Sequence, residues 1–197
     1  MTRPSETPAQ HLLRSLQITS SARFNASRRL RLHQDVSLWA VSVFSVVLIV
    51  VPLLEPFGVK TNLNSQLVNL LNIVAAIIIL VISILVNSSN FAERSEKMHR
   101  CALELNALAR DVELRIQEAG VEATNIKDLQ ARYDEILTRY ENHEDMDFRV
   151  AQVKKAAEFY SIKWWQRVRL FVDTLKSFSL YFVLMLVAVL YILFLVW

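Results

Sequence analysis

Few side chains in this sequence have the type and spacing for chemistry. There is one cysteine, Cys101, so no internal disulfide can form, and no base at a suitable spacing points to a thiolate nucleophile. The four histidines, His11, His33, His99 and His143, lack metal-ligand spacing. With two glycines in 197 residues, loops that cradle phosphate are nearly excluded. There is no P-loop, dinucleotide turn, nucleophile elbow or set of paired carboxylates. The expectation is therefore a protein that is not an enzyme, with no catalytic residue, no metal site and no cofactor.

The polar residues that do form a pattern lie inside an apolar stretch. Asn69, Asn72, Ala76, Ser83, Asn87 and Asn90 follow steps of three, four and seven, interrupted by Leu80. At about 100° per residue they fall in a wedge roughly 80° wide on a helix. Polar side chains in hydrocarbon are costly and turn toward a protein neighbour or water. Two uses are open. One is helix packing through small and amide residues. The other is the lining of a pore by Asn69, Asn72, Ala76, Ser83 and Asn87, with Leu80 as a hydrophobic constriction. Arg94, Lys97 and Arg100, which follow this stretch, and the more distant His143 are candidates for contacting ligand phosphates; a positive-inside flank explains the three cations equally well. Arg23, Arg28 and Arg29 precede the first apolar block and are candidates for a gating contact.

Three apolar segments must position these residues. Val36 to Leu54 carries no charge, Leu67 to Val86 holds fifteen Leu, Ile or Val residues, and a third runs uncharged from Ser177 to Trp197. At about 1.5 Å per residue each can cross a hydrocarbon core of about 30 Å. For Leu67 to Val86, about 0.3–0.6 kcal/mol per apolar residue gives roughly 5–9 kcal/mol in favour of insertion before the polar residues are subtracted. The scarcity of glycine, and of proline at four residues, favours long helices over a β fold. The expected fold is an all-α integral membrane protein with three transmembrane helices and a helical, coiled-coil-like cytoplasmic domain between the second and third.

Basic residues set the orientation. Residues 1–35 carry six arginines against Glu6 and Asp35, whereas the 55–66 connection has only Lys60 and Glu55. The N-terminus and the domain after the second span are thus expected in the cytoplasm, with the hairpin and C-terminus outside. Trp39, Trp164, Trp165 and Trp197 fall where interfacial aromatics are expected. Residues 87–176 contain fifteen Lys/Arg and sixteen Asp/Glu, so this domain lacks the broad positive field of a non-specific nucleic-acid binder.

The expected organisation is a disordered tail over 1–10, a basic amphipathic helix over 11–35, a transmembrane hairpin over 36–86 with spans 36–54 and 67–86, a cytoplasmic domain over 87–176, and a third span over 177–197. The basic helix has two open placements, on the lipid surface or docked on the cytoplasmic domain. In that domain, Phe91, Met98, Leu105, Val112 and Ala119 recur every seven residues, with Cys101 and Leu108 between them. This predicts a heptad stalk running straight on from span two. Gly120 is expected to end it. Asn125 with Asp128 reads as an N-cap for a helix with Ile126, Leu129, Tyr133, Ile136 and Tyr140 on one face. A polar break at 142–147 precedes a helix continuing into span three.

Certain motifs resemble those of the SLATT proteins, the two-transmembrane effectors of prokaryotic conflict systems. They are Arg23-Phe24-Asn25-Ala26-Ser27-Arg28-Arg29-Leu30 before the hairpin, Ala92-Glu93-Arg94 through His99-Arg100-Cys101 after it, and Tyr133-Asp134-Glu135-Ile136-Leu137 leading to Asn142-His143-Glu144 and Asp147-Phe148. The resemblance covers about residues 11–150; the third span departs from the two-span core and is similar to longer members. It implies a homo-oligomer, a tetramer or larger, that permeabilises the inner membrane of a bacterium in antiphage defence. It also implies control by a nucleotide or oligonucleotide from a nucleotidyltransferase or reverse transcriptase partner. A membrane-anchored scaffold that recruits a soluble partner, without a conduit, is the alternative.

Overall fold

The structure is a computed structural model that describes residues 7–54, 56–58, 64–119, 126–159 and 164–196. Among the described residues the chain forms six α-helices and no strand: α1 (Pro8–Leu54), α2 (Ser65–Ser88), α3 (Phe91–Ala119), α4 (Lys127–Arg139), α5 (Asp145–Phe159) and α6 (Trp164–Val196). The chain divides into two compact units. One comprises Met1–Leu30 with Ala92–Asp173, the other Arg31–Phe91 with Thr174–Trp197.

Helix α1 is a single 47-residue helix that takes in both the basic segment and the first apolar block. It starts at Pro8, where a missing N–H costs nothing because the first helical donors have no partner in any case. Buried residues recur along it in steps of three and four, among them Leu12, Leu16, Ser20, Arg23, Ser27 and Leu30. That is the spacing of one helical face.

In the first unit this face closes a core with α3 and α4. Leu12 and Leu16 pack with Cys101, Leu105, Leu108, Ala109 and Val112 of α3 and with Leu129 and Ile136 of α4. The heptad positions Met98, Leu105 and Val112, and the intermediate Cys101 and Leu108, are all buried. Ile126, Tyr133 and Tyr140 pack against the same cluster. Of the two placements open to the basic helix, its N-terminal half takes the docked one. Fully burying each leucine contributes about 1.5–3 kcal/mol. Burial also pushes the Cys101 thiol up, outweighing the opposing influence of Arg23, so it stays protonated and unreactive.

Two local expectations change. The stalk does not run straight on from α2. Ser89 and Asn90 form a turn, with Asn90 at φ +48°, a left-handed conformation that asparagine tolerates better than most residues. Helix α4 starts with Ile126 at its N-cap and no side-chain cap bond. Asp128 is turned instead to Arg115, 3.0 Å away; Asn125 and Gly120 lie outside the described residues. The expected continuation of α5 into α6 falls on residues 160–163, which lie outside the described residues, as do 1–6 of the expected tail and Glu55, Lys60 and Trp197.

In the second unit, Phe44, Val47, Leu48 and Val51 of α1 pack with Val68 and Ile79 of α2 and Ala188 of α6. Ala40 packs with Phe178 and Tyr181. Two helical stretches, Pro8–Leu54 and Ser65–Glu118, each contain a window long and apolar enough to cross a membrane. The apolar part of α6 within the described residues is Leu175–Tyr191.

Candidate functional site

Two groups of polar side chains, one in each unit, bear on the candidate residues. The first surrounds the non-helical link between α4 and α5, residues 140–144. Glu144 heads α5, its carbonyl accepting from the N–H groups of Asp147 at 3.0 Å and Phe148 at 3.4 Å. Asp147, three residues on, accepts from the Glu144 N–H at 3.3 Å. This is one half of a reciprocal capping arrangement.

The same carboxylate binds Arg29 of α1 through two parallel bonds, Nε to Oδ1 and Nη2 to Oδ2, each 3.1 Å. Arg29 Nη2 also meets Glu144 at 2.9 Å. Asp147 is 2% exposed. Burial alone would lower the Arg29 guanidinium; the bonds and charges of Asp147 and then Glu144 outweigh it and raise it. Bidentate geometry is what makes such a pair strong and directional. Six residues earlier on α1, Arg23 is 2% exposed and donates from Nη1 to the Glu141 carbonyl and toward Met98 Sδ at 3.4 Å. Ser95 Oγ donates to the Ser27 carbonyl at 2.8 Å, and Phe24 meets His99 edge-on at 5.5 Å between ring centroids. Arg23 and Arg29, expected as gating residues, thus hold the 141–147 segment to α1; Arg28 is exposed.

The phosphate-contact candidates do not form one open cluster. Arg94 Nε lies 3.0 Å from Glu141 Oε2, Lys97 pairs with Glu93 at 2.7 Å, and Arg100 pairs with Glu96 at 2.9 Å. The last two are pairs one turn apart on α3 itself. His143 is half-buried near Phe148, at 5.8 Å between rings. Asp147, Glu141 and Ser95 were not legible as site residues. Asp147 and Ser95 stand inside the motifs that carry the resemblance, without a site role assigned there, whereas Glu141 stands outside them.

The second group lies on α2, where the polar wedge divides. Asn72 Nδ2 donates to the Leu48 carbonyl of α1 at 3.1 Å. Leu48 is four residues before Pro52, which lies inside α1 and has no N–H to return to that carbonyl. The amide therefore satisfies the acceptor that the proline leaves open. Ser83 Oγ donates to the Ile79 carbonyl one turn back, at 2.7 Å. Asn69, Ala76, Leu80 and Asn87 are exposed. They span about 40° at about 100° per residue, so they form a narrower stripe than the whole wedge.

The second unit also buries His33. Its ring stacks on Phe178 at 4.1 Å and on Phe91 at 5.3 Å, and Nε2 is 2.8 Å from Ser177 Oγ. No spacing rule singled out this residue.

Residues from each of the three motifs that carried the resemblance thus meet around one link: Arg23 through Arg29 from the first, Arg94 through His99 from the second, and Glu144 and Asp147 from the third. The sequence matches the SMODS and SLOG-associating 2TM effector domain family 5 over residues 5–197. The chain belongs to that family. The match extends past the expected limit near residue 150 and takes in the whole of α6. No curated protein and no solved structure matches the chain. SLATT membership makes it an effector domain of the two-transmembrane type, associated with defence systems.

Proposed function

We propose that this SLATT chain assembles as a homo-oligomer, a tetramer or larger, in the bacterial inner membrane and opens a pore under control of a nucleotide or oligonucleotide. The N-terminus and the α3–α5 region face the cytoplasm, α1, α2 and α6 each cross the bilayer, and the C-terminus is outside. A partner nucleotidyltransferase or reverse transcriptase supplies the ligand.

One observation supports the pore reading above others. Asn69, Ala76, Leu80 and Asn87 remain exposed on an otherwise apolar helix after Asn72 and Ser83 have found acceptors within the chain. Exposed amides beside lipid are unfavourable, and several copies arranged about an axis would turn this stripe toward one another and toward water. Leu80 then sits on the axis as a constriction.

The test is conductance. Purified protein in planar bilayers should give discrete currents, altered by Asn69→Leu and Asn87→Leu and widened by Leu80→Ala. In cells, triggered expression should collapse membrane potential. Ion-tight bilayers under every nucleotide tried, together with unchanged potential in cells, would remove the pore and leave a scaffold that recruits a partner.

A further inference from the structure

The guanidinium of Arg23 is in an unusual position. It is 2% exposed, yet among the described residues no carboxylate pairs with it. Its Nη1 meets only a carbonyl and a thioether, and its Nε is buried without a hydrogen-bond partner. Buried cations are normally matched by an anion, and a buried donor left open calls for a missing partner. A second open atom occurs on the same link: Nδ1 of His143 is buried and also lacks a partner.

Glu141 lies between the cations. Its carbonyl takes Arg23 and its carboxylate takes Arg94. The same carboxylate also raises the Lys97 ammonium, although Lys97 is bonded to Glu93 first. Arg23, Arg94 and Lys97 thus face Glu141 and Glu93, three cations to two carboxylates, while farther along the same link Arg29 faces both Asp147 and Glu144. Glu141 is half-exposed and sits in a segment without helical hydrogen bonds, so its side chain can leave without unwinding a helix.

We propose that Arg23, Arg94, Lys97 and His143 form a phosphoryl-anion site whose resting occupant is the Glu141 carboxylate, and that a phosphate-bearing ligand binds by displacing it. This rests on the nucleotide-controlled reading above and names its contact point. Arg100, tied to Glu96 on its own helix, is outside the site. A phosphoryl group offers more acceptor oxygens than a carboxylate, and so can serve the open nitrogens as well as Arg94. A soluble phosphate and an anionic lipid headgroup share this chemistry.

The experiment is equilibrium dialysis of the full chain against labelled pyrophosphate, in phosphatidylcholine nanodiscs. Glu141→Gln keeps the backbone carbonyl for Arg23 and removes the competing charge. It should bind about tenfold tighter than the unaltered chain, a factor equal to about 1.4 kcal/mol. Arg94→Gln should bind at least about tenfold weaker by the same conversion, and Arg100→Gln should match the unaltered chain. Each variant is compared at equal unfolding temperature. Equal binding by Glu141→Gln and the unaltered chain, no loss in Arg94→Gln, or no saturable binding overturns the site. With phosphatidylglycerol in the disc, weakened pyrophosphate binding identifies a headgroup as the occupant, and unchanged binding identifies a soluble phosphate; either supports the site. Bilayer currents are read separately. Currents without pyrophosphate binding remove this site and keep the pore, whereas binding without currents does the reverse.

Discussion

The two units use the same secondary structure and opposite surfaces. In the first, leucines such as Leu16, Leu105 and Leu129 are fully buried, while the outer faces of α3 and α4 carry ion pairs such as Arg132–Asp111 and Arg139–Glu104. In the second, Ile49, Leu70, Ile78 and Leu85 are each more than half exposed, and hydroxyls such as those of Ser45 and Ser83 fold back on their own helix, Ser45 on the Val41 carbonyl at 2.8 Å. A helix in water hides its apolar face and solvates its charges. A helix in lipid can expose apolar side chains on every side, but must satisfy each polar group from within. Helix α1 does both in turn, and the change comes in sequence where its arginines stop.

The contrast is sharpest where charge is buried. Removing Asp147 leaves Arg29 without its buried partner and α5 without its cap, so Asp147→Ala should destabilise the first unit by about 3–5 kcal/mol in denaturant unfolding. A loss under about 1 kcal/mol would show the pair to be solvated. A matched pair of changes tests the solvent difference itself. Leu103 and Ile78 are similarly exposed, at 50% and 51%. Ile78→Lys should cost about 2.5–3.5 kcal/mol in a membrane-insertion assay. Leu103→Lys should shift unfolding by no more than about 0.5 kcal/mol. Equal effects would break the comparison.

A smaller effect is expected at the proline. Asn72→Leu leaves the Leu48 carbonyl unsatisfied beside Pro52 and should cost about 1–2 kcal/mol in detergent unfolding. Restoring the missing donor by Pro52→Ala in the same chain should recover most of it. The smallest effect belongs to Arg100→Gln, an exposed pair on one helix, at about 0.5 kcal/mol or less.

Apolar length, heptad spacing and glycine scarcity made the helical class and the apolar segments legible, because backbone groups in lipid can be satisfied only within a helix or closed barrel. The spacing of Ile126, Leu129, Tyr133, Ile136 and Tyr140 marked a single face, and all five belong to or pack against one core. Periodicity reports which side of a helix is covered, however, and not by what. The cover on Leu12 and Leu16, the link from Arg29 to Asp147 across 118 residues, and the bond from Asn72 to Leu48 depend on contacts distant in sequence. The wedge on α2 was visible as a set of polar positions. Only the tertiary structure separated the members that close on a neighbouring helix from those left facing outward, since that depends on where Pro52 opens a carbonyl and which side chain reaches it.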